Sequence, residues 1–169
     1  MITVYKNFTL LHDNKKYKCA LGKNGISLNK IEGDNTTPAG LYSLGEIYYR
    51  KDRIKNLRAE KKLNPINKHM FWSDDPKSIN YNKLIKLKEK QCEVLFRKDE
   101  IYDIFIVINY NIDPIIPNKG SAIFLHIAKK DFTPTKGCIA LEENDLKEII
   151  SNLKKKEKVY IKDNTYISA

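Results

Sequence analysis

Two short apolar runs, each rooted in a reactive side chain, constrain this chain more than any other feature. Ala122-Ile123-Phe124-Leu125 ends at His126, and Cys138-Ile139-Ala140-Leu141 begins at a thiol. Between them lies a polar segment, residues 129–137, with one Pro and one Gly. Runs of this length bounded by turn formers read as two buried strands joined by a loop. The loop has to bring the chain back for the imidazole and the thiol to meet. A His that takes the proton of a Cys makes a thiolate, the stronger nucleophile. Gly137 directly precedes the thiol, where a missing side chain admits a carbonyl substrate close to the backbone. The N–H groups of Gly137 and Cys138 are then candidate donors to a developing oxyanion. A second reading stays open on these residues alone: a buried Cys often does no more than fill a core, and His126 fits a hydrogen-bonded core histidine.

The remaining cysteines narrow the choice. Cys19, Cys92 and Cys138 form no C-x-x-C pair, which argues against a zinc site or a thioredoxin motif. A Cys19–Cys92 disulfide stays open, and the odd count favours a lone thiol working with a His. The chain has 169 residues, enough for one domain, 1–169, with a real core. At 41% hydrophobic and 31% charged residues it matches an ordinary folded protein. Its apolar runs are too short to span a bilayer. The first residues lack the basic head and apolar centre of a secretory signal. The expectation is a cytoplasmic chain or one trimmed of its leader.

The net charge of +10 suits an anionic partner: nucleic acid, a membrane surface or a polymer such as a cell wall. No RNP-type, zinc-finger or helix-turn-helix signature is present, so no dedicated nucleic-acid site is expected. The lysine-rich stretches 83–90 and 154–158 read as solvated helix faces.

Read in order, residues 2–5, 8–11 and 16–21 alternate as strands. His12-Asp13-Asn14 reads as an exposed turn between the second and third. Lys23-Asn24-Gly25 is a tight turn. Residues 33–40 are too rich in turn formers for regular structure and read as a loop, either plain or shaped to pack beside a site. Residues 41–44 form a strand, and 46–63 a strand end followed by irregular structure. Residues 69–76 gather the single Trp, a His and two adjacent acids. Trp72, Asp74 and Asp75 suit a cleft for an ammonium group, although Asp before Pro also starts ordinary turns. Residues 79–90 fit either a short helix or a strand. Residues 94–96 and 101–110 are strand-like, the second central, and 111–120 form a loop. A helix runs from 142 to about 155, acids in its first turn and lysines in its last, with Leu146, Ile149, Ile150 and Leu153 as its buried stripe. Residues 158–161 form the last strand.

Three patches together resemble the L,D-transpeptidase catalytic domain, the YkuD family of cell-wall enzymes. One is Cys19-Ala20-Leu21-Gly22-Lys23 through Glu32-Gly33-Asp34 to Thr37-Pro38-Ala39-Gly40, similar to the family's Thr-Pro-x-Gly loop. Another is Trp72-Ser73-Asp74-Asp75-Pro76 with Tyr81-Asn82, similar to a subgroup of small members. The last is Phe124-Leu125-His126 with Thr135-Lys136-Gly137-Cys138-Ile139-Ala140.

The resemblance implies a mainly β fold, a mixed sheet or sandwich with one or two helices and a groove. It implies Cys138 as nucleophile, His126 as its base and Gly137 as the residue whose carbonyl orients the imidazole. Thr135 and Lys136 would line the substrate site, with Trp72, Asp74, Asp75 and Tyr81 holding the zwitterionic end of diaminopimelate. It implies no metal or organic cofactor, peptidoglycan stem peptides as partners, a monomer, and a periplasmic or wall-associated location. Lys136 stands where the family often has His, and Ala140 where it often has Arg or Asn. The alternative readings are an L,D-carboxypeptidase, with water in place of the acceptor amine, another cysteine acyltransferase or a cysteine peptidase acting on protein, and a non-catalytic basic domain that holds cell wall or nucleic acid.

Overall fold

The computed structural model describes residues 1–168. Strict alternation builds its first strands: in β1 (Ile2–Tyr5), Ile2 and Val4 are buried and their neighbours half-exposed. β1 pairs antiparallel with β2 (Thr9–His12), and β2 with β3 (Lys15–Ala20). Two short strands, β4 (Ile26–Ser27) and β5 (Thr37–Pro38), then pair parallel, the second inside the run 33–40 that composition suggested was all loop. β6 (Gly40–Tyr49) is the longest strand and carries β7 (Leu63–Pro65) on one side. A small separate sheet follows, with β8 (Phe71–Ser73) between β9 (Leu84–Ile85) and β10 (Cys92–Val94). The chain closes with β11 (Ile104–Ile108), β12 (Phe124–Ile127), β13 (Ile139–Leu141), helix α1 (Glu143–Asn152) and β14 (Lys158–Lys162).

The large sheet runs β11-β12-β13-β3-β2-β1-β14-β6, and β6 pairs back onto β11. The ring therefore closes into a barrel, which leaves no free edge in these strands. A register shift between Ile106 and Ile108 marks a bulge where β6 meets β11. The expected mainly β mixed sheet with one helix is what forms, rolled up rather than open.

Every residue of β11, β12 and β13 is buried. Ile104, Ile106, Ile108, Leu125, Ile127, Ile139 and Leu141 fill the barrel with the α1 residues Leu146, Ile149 and Ile150. Phe105, Val107, Phe124 and Cys138 point outward, into a second cluster with Met70, Trp72, Leu95 and Tyr102. Burial on both faces explains why these strands read as continuous apolar runs while the N-terminal ones alternate. At about 25 cal/mol per Å² of apolar surface, each such Ile or Phe contributes on the order of 2 kcal/mol.

Glu142 caps α1 by accepting from the Asn144 and Asp145 N–H groups at 2.8 and 3.2 Å. The helix stops at Asn152, so Lys154 and its neighbours lie past it and its last turn has no basic residue. Neither lysine-rich stretch is helical: 83–90 holds β9 and turns, and 154–158 is the turn into β14. His12 is not an exposed turn residue. It is 2% exposed, with Nε2 2.7 Å from Glu157 Oε1, because the last strand covers it. All three cysteines are free: Cys19 is sealed in the barrel and Cys92 sits in β10, so the Cys19–Cys92 disulfide does not form. Among the described residues no helix is long and apolar enough to cross a membrane.

Candidate active site

β12 and β13 run parallel, with His126 opposite Ala140. Parallel neighbours need a crossover rather than a hairpin, and residues 128–138 supply it. Side chains alternate along a strand, so Cys138, two residues before Ala140, shares the outward face with His126. Thr135 clamps the crossover. Its N–H donates to Leu21 O at 2.9 Å, its carbonyl accepts from Lys23 N–H at 2.8 Å, and its hydroxyl donates to Cys138 O at 2.6 Å. The same hydroxyl oxygen accepts the Gly137 N–H at 3.1 Å.

Gly137 has φ +146°, and a Cβ there would lie 2.8 Å from Thr36 O. Only glycine lets the loop holding Thr36 press against the peptide ahead of Cys138. No protein acceptor takes the Cys138 N–H among the described residues.

Cys138 and His126 are both lining residues of a cavity of 510 Å³ on the barrel's outer face. The sulfur donates to Ala122 O at 3.2 Å and accepts from Phe124 N–H at 3.4 Å. The imidazole is bonded at one nitrogen, Nδ1, 2.8 Å from Ile127 O. A carbonyl only accepts, so Nδ1 carries the proton and Nε2 presents a lone pair. Among the described residues Nε2 has no protein partner and no unpartnered side-chain nitrogen or oxygen is sealed inside the fold, so Nε2 opens on the cavity. The Tyr102 ring meets the imidazole edge to face, centroids 5.4 Å apart. Burial lowers the His126 pKa to about 4 and raises the Cys138 thiol to about 12. The pair therefore rests neutral.

The L,D-transpeptidase catalytic domain, YkuD, matches residues 1–161. The chain belongs to the YkuD family. No curated protein matched it. It is similar in fold to the crystal structure of the helical cell shape determining protein Pgp2 from Campylobacter jejuni, at 20% identity and TM-score 0.49, covering 99% of this chain and 49% of that one. The K307A mutant of the same protein gives 18% identity and TM-score 0.48, covering 99% of this chain and 48% of that one. This YkuD chain thus spans about half the length of those structures.

The other residues singled out in the sequence divide sharply. Thr135, Lys136 and Asp74 line the YkuD cavity with Cys138 and His126. Trp72, Tyr81 and Asp75 do not. Trp72 is a core residue, edge-on to Phe124, its indole N–H donating to Asn82 Oδ1 at 2.9 Å. Tyr81 is 2% exposed and its hydroxyl accepts the Gly120 N–H at 2.9 Å. Asp75 shapes a turn, accepting from Lys77 N–H at 2.9 Å. Aromatic rings beside acids look alike in sequence whether they face a ligand or a core. The carbonyl that orients the imidazole is that of Ile127, not Gly137, because Nδ1 reaches the peptide next to its own.

Sequence reasoning passed over Lys30, Glu32, Glu93 and Arg97, which also line the cavity. Glu32 and Glu93 have raised pKa values, burial being the main cause and the Asp74 charge adding to it. Nothing local marks these residues; they arrive from separate segments, Glu93 from β10 and the others from loops. Glu32 fell within the first resemblance patch without a role of its own, and Lys30 drew no reading.

Proposed function

We propose that this YkuD domain is a peptidoglycan L,D-transpeptidase acting through a Cys138 thioester, in the periplasm or at the cell wall. The observation that supports it is the His126 tautomer: with Nδ1–H given to Ile127 O, Nε2 keeps an imidazole lone pair for the cavity that also holds the Cys138 thiol.

A rotation about the Cys138 side chain moves the S–H from Ala122 O toward Nε2. His126 Nε2 takes the proton, and the sulfur attacks a stem-peptide carbonyl next to diaminopimelate. The Cys138 N–H is the free backbone donor to the tetrahedral oxyanion; the Gly137 N–H is already held by Thr135. The C–N bond breaks, the leaving amine takes the proton from the His126 imidazolium, and a thioester remains. The amine of a second stem attacks that thioester while losing its proton to Nε2. The C–S bond breaks, and the sulfur recovers the proton as the new amide forms. Asp74 and Lys136, whose charges interact across the cavity wall, suit the ammonium and carboxylate of diaminopimelate.

Purified protein incubated with disaccharide-tetrapeptide tests this by mass analysis. Cross-linked dimers with loss of one terminal amino acid are expected from the parent, and none from Cys138→Ala. Product formed as fast by Cys138→Ala would overturn the proposal. Shortened monomers without dimers would assign hydrolysis instead.

A further inference from the structure

Lys30 lines the same cavity, and the reaction above gives it no task. Its side chain is 3% exposed, which is rare for a lysine. Two glycines make room for it. A Cβ on Gly120 would lie 2.8 Å from Lys30 Cε, so the stem passes over that residue. A Cβ on Gly137 would lie 3.3 Å from Lys30 Nζ, so the ammonium stands over the peptide that precedes the nucleophile.

One acceptor is present: Asp34 Oδ1 at 2.9 Å. That carboxylate also accepts from the Ile31 and Thr36 N–H groups and from the Thr36 hydroxyl. It is therefore saturated and fixed, and it orients the lysine. An ammonium has three donors, so two N–H groups of Lys30 have no protein acceptor. No ion pair joins Lys30 to Glu32, which instead accepts from the Ser121 hydroxyl. A buried cation with free donors, clamped over the Gly137 peptide that precedes Cys138, is a site for an anion.

We infer that Lys30 binds a carboxylate of the acyl donor, selecting substrates that carry one beside the attacked carbonyl. This rests on Cys138 being the nucleophile. The carboxylate comes either from the departing amino acid or from the acyl side of the scissile bond. A saturated Asp34 cannot release Lys30 to a neutral ligand without stranding the charge, so an uncharged group at this position is disfavoured.

Two experiments test it. In the first, Cys138 is alkylated with iodoacetate and with iodoacetamide at one alkaline pH, and the modified peptide is quantified by mass. Both reagents consume the same thiolate, so their rate ratio reports the local charge alone. The ratio at Cys138 in the parent is expected to exceed that of a free thiol in the same buffer by about tenfold, as a close cation favours the anionic reagent. Lys30→Gln should abolish the excess and Lys30→Arg keep most of it. A parent ratio equal to that of the free thiol overturns the inference, and this arm needs no variant to fold.

In the second, tetrapeptide donors are compared with the C-terminal amide and with donors amidated on diaminopimelate. The parent should lose about tenfold or more in kcat/KM with whichever amide removes the bound carboxylate, and Lys30→Gln should no longer discriminate. Discrimination retained in Lys30→Gln overturns the inference. A high alkylation ratio with no peptide turnover would leave the carboxylate site standing and remove the transpeptidase reading instead.

Discussion

Cys138 donates its S–H to the carbonyl of Ala122 at 3.2 Å, and His126 faces the same cavity without a bond to it. Burial raises the thiol and lowers the imidazole, to about 12 and about 4. In the proposed mechanism the thiolate would thus form only as substrate arrives, since the resting pair is neutral. Alkylation of Cys138 by iodoacetamide should climb steadily with pH and reach no plateau below about pH 9. A plateau near neutrality, read from a pH–rate profile, would mean a preformed ion pair.

The same burial makes His126 a source of pH-dependent stability. Its folded pKa lies below the unfolded value, so the unfolded chain binds the proton first. Stability is complete above the unfolded value near 6.5 and falls as pH drops toward 4. The loss attributable to His126 is on the order of 3 kcal/mol across that window. Urea denaturation of the parent and of His126→Gln at several pH values checks this: the variant should lose less stability than the parent between pH 6.5 and 4.

Asn82 ties the small sheet to the site. Its Oδ1 accepts from Trp72 Nε1–H and from Ala122 N–H, and its Nδ2 donates to the carbonyls of Tyr110 and Asn111. It also has φ +57°, a conformation Asn adopts at less cost than Ala. Asn82→Ala leaves several buried groups unpaired and should lower stability by about 3–5 kcal/mol, measured by denaturant unfolding. Because Ala122 also holds the Cys138 S–H, any folded fraction should show altered Cys138 alkylation.

Gly137→Ala should separate packing from chemistry. The added Cβ meets Thr36 O at 2.8 Å and the φ of +146° strains any side chain. The loop or the nucleophile peptide must move, at about 2–4 kcal/mol. A shift of this kind next to the sulfur should lower kcat by about a hundredfold or more. Thermal unfolding and turnover of the same preparation measure both; unchanged turnover would show that the close approach is dispensable.

Much of the barrel was legible because local pattern and burial agree. Ile2 and Val4 alternate with exposed neighbours, and β11 is apolar throughout because it has a core on either side. The buried stripe of α1 and the acids of its first turn were also legible. His12 was misread because its turn-forming neighbours hide a contact with Glu157, which only the pairing of β1 with β14 brings near. Trp72 and Tyr81 were misread because an aromatic beside acids carries no sign of which way it faces.

By itself, the sequence determined that a thiol and an imidazole would terminate two buried strands of a mainly β protein, since periodicity and turn residues act over a few positions. Only the tertiary structure decided that those strands run parallel, that Ile127 rather than Gly137 fixes the imidazole, and that Lys30 stands over the Gly137 peptide. Each of these depends on how distant segments register once the barrel closes, and no local propensity encodes that.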